Sequence, residues 1–214
     1  MPHFISPCDA GESDIVGIGG PLTPETLRNA YAVGIFPWPM TGYPLLWFCP
    51  LSRAVLDFDR LHIPRRLARV RKNTKLTFTR DQAFDDVIAA CRRTPRSGQS
   101  GTWITPEMLR AYQEFHRLGY AHSVEAWDES GLLVGGVYGV LVNGYFSGES
   151  MFHLAPNASK LALLFLIDHL THLGIRWLDC QMLTPHMAAL GAYEISRDEF
   201  LKRIEQQPSG IITS

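Results

Sequence analysis

The sequence has no Walker phosphate loop, no G-x-G-x-x-G, no G-x-S-x-G and no H-E-x-x-H. Without them, P-loop hydrolysis, dinucleotide binding, nucleophile-elbow esterases and zincin proteases find no motif to rest on. No long apolar run is present either: the longest, Leu161–Ile167, is too short to span a bilayer. The first twenty residues carry Asp9, Glu12 and Asp14 and lack a basic stretch ahead of an apolar one, so no secretory signal is expected. Cysteine is scarce: Cys8, Cys49, Cys91 and Cys180 lie apart without metal-ligand spacing. Reduced thiols and a cytosolic location are the expectation. The eight histidines show no metal spacing, and no metal is expected. Nor is there an excess of one charge, with 20 Lys+Arg against 21 Asp+Glu. A nucleic-acid coat protein is usually strongly basic, so any RNA contact must use a local patch.

What is present begins with 46% hydrophobic residues over 214 positions, enough for a substantial core in one or two domains. Residues 1–58 are rich in Gly, Pro and aromatics and read as a small N-terminal domain; residues 59–214 alternate helix and strand. Thr23-Pro24-Glu25 starts a helix that Gly34 ends, followed by a stiff loop, Ile35–Pro39, whose two prolines forbid helix. Asp81 is expected to cap a helix carrying Phe84, Val87, Ile88 and Cys91 on one face. A polar loop follows at residues 94–101. Thr105-Pro106-Glu107 opens a helix with Leu109, Tyr112, Phe115 and Leu118 at helical spacing, and Gly119 closes it. Strands are expected over His122–Trp127, Leu132–Val142 and Tyr145–Phe152, the last two joined by Asn143-Gly144, the preferred pair for a two-residue hairpin. An apolar helix runs from about Asn157 to Leu173, then a strand over Ile175–Cys180, a helical turn at Thr184-Pro185 and a capping box at Ser196–Glu199.

Strand 145–152, helix 159–173 and strand 175–180 have the length and order of a βαβ crossover, so the two strands should be parallel neighbours. Ligands bind at the carboxyl ends of such strands, where Glu149 and Asp179 both fall. Asp179 and Gln181 are two apart and share a face, while Cys180 points away. An acid beside an amide can hold a substrate amine; a strand-end Asp also serves to cap a helix or pair with an arginine. Glu149, amid an apolar strand, needs a partner or a raised pKa. Trp47 and Trp103 sit in loop-like segments, where tryptophan acts as a structural lid or stacks on a base. His186 either lines the site or serves the core. Residues 64–75 hold Arg65, Arg66, Arg69, Arg71, Lys72 and Lys75 and no acid; Arg65, Arg69 and Lys72 share a helical face that suits a solvated surface or a phosphate backbone.

The segments Ala30–Trp38, Leu46–Pro50 with Arg53–Leu56, Gly101–Thr105, Gly119–Trp127, Val134–Gly136, Gly148–Phe152, Asn157–Lys160, Leu178–Gln181 and Leu190–Ala192 together resemble the leucyl/phenylalanyl-tRNA–protein transferase family of bacteria. The resemblance runs through nearly the whole chain in one order. It implies an α+β fold, a small N-terminal domain followed by a GNAT-like domain with a mixed sheet flanked by helices. It implies transfer of Leu, Phe or Met from charged tRNA (Leu-tRNA, Phe-tRNA) to acceptor proteins with an N-terminal Arg or Lys, marking them for degradation. A monomer is expected, with no cofactor and no membrane partner. Carried over by position, Trp47 and Trp103 resemble residues contacting the terminal adenosine, and Tyr112 one lining the active site. Glu149, Asp179 and Gln181 match the catalytic polar centre. Val137, Phe146, Leu163, Leu166 and Leu170 match the amino-acid pocket; Arg65, Arg66, Arg69 and Lys72 match the grip on the acceptor stem. The family commonly reads Trp-Trp-Ser-Pro where this chain has Trp47-Phe48-Cys49-Pro50. A narrower, leucine-preferring specificity is the alternative, and an acyl-CoA N-acyltransferase a further one. Against the latter stands Leu154–Ala158, which lacks a glycine-rich pyrophosphate loop.

Overall fold

The computed structural model describes residues 4–94 and 102–207. Beyond Thr94, the polar loop expected over residues 94–101 lies outside the described residues, as does Gly101 of the resemblance. In chain order the elements are β1 (Ile15–Ile18), α1 (Pro24–Tyr31), β2 (Phe36–Trp38), β3 (Leu46–Phe48), β4 (Ser52–Asp57), a 3-10 turn (Phe58–Arg60), α2 (Arg65–Asn73), β5 (Thr77–Arg80) and α3 (Phe84–Arg93). There follow α4 (Pro106–Arg117), β6 (Ala121–Trp127), β7 (Leu133–Val142), β8 (Tyr145–His153), α5 (Ala158–His172), β9 (Trp177–Gln181), α6 (Pro185–Ala189), β10 (Tyr193–Ser196) and α7 (Arg197–Glu205).

Two sheets result. A small antiparallel one has the order β1-β3-β2; the large one has the order β10-β4-β9-β8-β7-β6-β5. Every neighbouring pair in the large sheet is antiparallel except β8 and β9, which run parallel on either side of α5. This is the expected βαβ crossover, and the whole is the α+β arrangement that the resemblance implies, a mixed sheet flanked by helices. β4, from residues 52–57, lies inside the large sheet between β10 and β9.

Helix starts follow their sequence signals. Thr23, Thr105, Thr184 and Ser196 each accept a hydrogen bond from the backbone three residues on, which satisfies one orphan donor per helix. Asn143 and Gly144 both take positive φ, as a twisted two-residue hairpin requires. Four expectations are corrected. The segment Ile35–Pro39 is not all loop: Phe36–Trp38 is a strand, and Pro37 is tolerated because β2 is an edge. Trp47 lies on β3, between β1 and β2, not in a loop. Asp81 does not cap α3; it takes φ +58 and accepts from the Ser123 backbone at 2.8 Å and pairs with His122 at 2.9 Å. Leu118, expected on the buried face of α4, is 57% exposed just past the helix end.

The large sheet is covered on both faces. One face, with Tyr138, Val140 and Val142 of β7, packs with α1, α3, α4 and the small sheet in a single core. The other, with Val134, Val137 and Leu141, packs under α5. α5 is apolar almost all round and buries Leu161, Leu163, Leu164, Leu166, Ile167 and Leu170, as a helix enclosed by other elements does. No described helix is long and apolar enough to cross a membrane. Gly135 of β7 sets how closely α5 approaches: a Cβ there would lie 2.5 Å from that of Ala158. Gly135→Ala is expected to lower stability by about 1–3 kcal/mol, read as a lowered urea midpoint with an unchanged slope.

Candidate active site

β8 and β9 pair at Phe146 with Leu178 and at Ser147 with Asp179; beyond that point no further pair joins them. Glu149 and Gln181 lie just past the last pair, so the site opens where the strands part.

Asp179 is wholly buried. Its Oδ1 accepts from Arg53 Nε at 2.8 Å and from the Gln181 backbone N–H at 2.9 Å; its Oδ2 accepts from Arg53 Nη2 and the Ser147 hydroxyl, both at 2.7 Å. These four bonds occupy both oxygens, so Asp179 is a positioning group. Arg53 is equally buried and sits between the rings of Phe36 and Phe200, 4.6 and 4.4 Å from their centroids, with Nη1 donating to the Gly34 carbonyl. Burial works against its charge, and the Asp179 carboxylate outweighs burial, holding the guanidinium pKa above its usual value.

The bond from Asp179 to the Gln181 backbone coincides with φ +60 at Gln181, a left-handed conformation uncommon for a residue with a side chain. Gln181 Nε2 then donates to Glu149 Oε1 at 2.7 Å and, more weakly, to the Ser147 hydroxyl at 3.4 Å. With the nitrogen turned to the acid, the amide oxygen faces the other way. Glu149 also accepts from Tyr31 at 2.6 Å and from Tyr112 at 3.4 Å, and the two phenols touch at 2.5 Å. Burial pushes the Glu149 carboxyl up to about 7; the hydrogen bond from Tyr31 opposes this and the nearby Asp179 charge adds to it. Burial and the Glu149 charge raise both phenols well above the ordinary tyrosine range. Cys180 alternates away from Asp179 onto the face under α5, where it lines the neighbouring cavity, and burial raises its thiol pKa.

Beside this centre is a cavity of about 210 Å³. Val137, Leu163, Leu166, Met151 and Leu178 supply its apolar wall, and Glu149, Asp179, Cys180, Thr184 and His186 complete the lining, the Asp179 carboxylate itself being enclosed by its partners. Phe146 and Leu170 do not line it. They line a separate, small cavity with Arg80 and His169, because Phe146 is the second residue of β8 and Leu170 lies one turn beyond Leu166. Leu166 touches both.

Trp47 is fully buried, its indole N–H donating to the Gly19 carbonyl at 3.0 Å, so it presents no surface to a ligand in this conformation. Trp103 is 7% exposed, stacks on Trp38 at 5.1 Å and lines another cavity with Met40, Tyr43 and Glu107. Tyr112 is fully buried behind Glu149. On α2, Arg65, Arg66, Arg69 and Lys72 are exposed and, among the described residues, form no ion pair, whereas Arg71 pairs with Asp168 and Lys75 with Glu129. Sequence reasoning passed over Arg53, Tyr31 and Ser147. The signal for Arg53 was a lone cation against the apolar run Ala54-Val55-Leu56.

Models of two protein regions match the chain in tandem: the leucyl/phenylalanyl-tRNA protein transferase N-terminal domain over residues 20–51, and leucyl/phenylalanyl-tRNA protein transferase over residues 55–205. The chain belongs to this family. A leucyl/phenylalanyl-tRNA–protein transferase of Nitratidesulfovibrio vulgaris (strain DP4) is 50% identical over 206 residues, spanning 95% of this chain and 88% of the relative. One of Maridesulfovibrio salexigens is 46% identical, spanning 96% and 85%. Among solved structures, FemX shares the fold at a TM-score of 0.50 and 10% identity, covering 85% of this chain and 71% of that one.

In this transferase the buried Arg53–Asp179 pair generates two predictions. Arg53→Met leaves Asp179 buried without its cation and should cost about 3–5 kcal/mol in urea denaturation, with Arg53→Met/Asp179→Leu regaining much of it. Glu149 gives a pH dependence. Its folded pKa is raised from 4.5 to about 7, so between those values the folded state holds the extra proton and stability falls as pH rises. Glu149→Gln removes that loss. The melting temperature of Glu149→Gln minus that of the parent should therefore grow from pH 4.5 to pH 8; a constant difference would show that Glu149 titrates normally.

Proposed function

We propose that this aminoacyltransferase moves Leu, Phe or Met from charged tRNA to the amino terminus of proteins beginning with Arg or Lys, creating a degradation signal. Family membership gives the reaction class. The observation that carries the finer reading is an apolar cavity of about 210 Å³ with Glu149 in its lining. The enzyme works as a cytoplasmic monomer without a cofactor, and its N-terminal domain of residues 1–58 serves the catalytic domain of residues 59–214.

The amino-acid side chain occupies the cavity between Val137, Leu163 and Leu166. Aliphatic walls take Leu and Met, and Phe as depth allows; a charged side chain is rejected by its desolvation cost. The exposed cations of α2, Arg65, Arg66, Arg69 and Lys72, face the RNA backbone. Trp103 serves the terminal adenosine, and Trp47 supports that region from inside the core.

The chemistry is ester aminolysis. The acceptor's α-amine nitrogen attacks the ester carbonyl carbon, an amide C–N bond forms, the C–O bond to ribose breaks, and one proton passes from nitrogen to the departing ribose oxygen. An N-terminal amine titrates near pH 8, so a useful fraction is neutral in the cell and no strong base is required. Positioning supplies much of the rate. Gln181 accepts a hydrogen bond from the amine through its amide oxygen, and Asp179 fixes Gln181 through its backbone. Asp179 is saturated by its partners and takes no proton. Glu149, raised to about 7, is matched to receive the proton and return it to the ribose oxygen. Tyr31 and Tyr112 hold its carboxylate meanwhile.

Gln181→Ala should lower turnover at least tenfold while the affinity for charged tRNA stays within about twofold of the parent, in single-turnover kinetics and filter binding. Equal turnover would remove Gln181 from the mechanism. In competition, Leu-tRNA should donate at least tenfold faster than Asp-tRNA; similar rates would refute the pocket assignment.

A further inference from the structure

A groove of about 370 Å³ lies beside the amino-acid cavity, between α2, the start of α5 and α6. Arg66 enters it from α2 and Lys160 from α5, and no acidic residue lines it. Among the described residues neither cation pairs with a carboxylate. His186 lines both the groove and the cavity, which makes the two spaces adjoin. Its buried Nε2 has no hydrogen-bond partner. α5 begins here, and its start is uncapped: Asn157, at φ +65, makes no side-chain cap bond. The N–H groups of Ser159 and Lys160, in the first turn, have no acceptor within the helix. A fifteen-residue helix therefore directs free donors and the positive end of its dipole to the groove wall.

These features converge on an anion, and their arrangement fixes which one. The exposed cations of α2 lead to Arg66, Arg66 faces Lys160 across the groove, and His186 passes from the groove to the cavity. We propose that the groove holds the phosphodiester backbone of the single-stranded 3′ end of the charged tRNA, between the acceptor stem on α2 and the aminoacyl ester at Glu149 and Gln181. Lys160, His186 and the first turn of α5 are its ligands. The inference rests on the transferase reading and adds a binding site to it. Backbone contacts of this kind set register without reading sequence, so the site delivers the ester to a fixed place whichever tRNA carries it.

The test compares Leu-tRNA with 3′-leucyl-adenosine, an ester with no phosphate. Parent turnover of the two substrates tests the transferase reading; its absence on both sinks that reading and the inference with it. Given parent turnover, Lys160→Ala should raise KM for Leu-tRNA about threefold at moderate salt. It should also reduce the slope of log affinity against log salt by about one. Lys160→Arg should restore both, and leucyl-adenosine should be used by all variants as by the parent. An equal loss on both substrates would reduce Lys160 to a structural role. An unchanged salt slope would place the RNA elsewhere. Micromolar coenzyme A binding that Lys160→Ala abolishes would assign the groove to a different phosphate ligand and overturn the proposal.

Discussion

The Arg53–Asp179 pair is the constraint from which the site is built. Both groups are removed from water, where a single charge would be far too costly. Each therefore needs the other, and the need fixes more than two side chains. Arg53 is held on β4, between two aromatic rings and against the Gly34 carbonyl. Asp179 then has one orientation available, and with its remaining lone pairs it fixes Ser147 and the backbone of Gln181. The ion pair is thus a source of geometry more than of stability, since such pairs gain little net energy over apolar packing.

A second carboxylate stands a few ångströms away under opposite conditions. Glu149 has no cation of its own; its partners are two phenols and an amide. Two acids in one site therefore separate into a paired one that holds the frame and an unpaired one whose proton is near balance at neutral pH. The splay of β8 and β9 makes room for both. Tyr31 and Tyr112 belong to the core on one face of the sheet, while the cavity of about 210 Å³ lies under α5 on the other.

Much of this was legible in the sequence where periodicity and turn chemistry act locally. The hairpin at Asn143-Gly144, the helix that begins at Thr105-Pro106, and the crossover from residue 145 to residue 180 follow from short-range rules. The crossover in turn brings Glu149 to Gln181. Most of the failures share one cause: they depend on partners distant in the chain. β2 and β3 are three residues long and exist because they pair with each other and β3 also pairs with β1. Phe146 and Leu170 are a separate case: the start of β8 and one further turn of α5 place them at another cavity. Trp47 reads as a loop residue until the small sheet closes around it. Arg53 is 126 residues from Asp179, a separation across which no local pattern operates.

Phe200, which covers one side of Arg53, comes from α7, the last described helix. The same ring would lie 2.7 Å from a Cβ at Gly34, so it also seats the turn that follows α1 and Tyr31. β10, immediately before it, completes the sheet next to β4. The surroundings of Arg53 thus draw on Gly34, Phe36, Asp179 and Phe200, so segments far apart in sequence must all be in place to enclose it. A chain without α7 would leave one side of the Arg53 guanidinium without its aromatic cover.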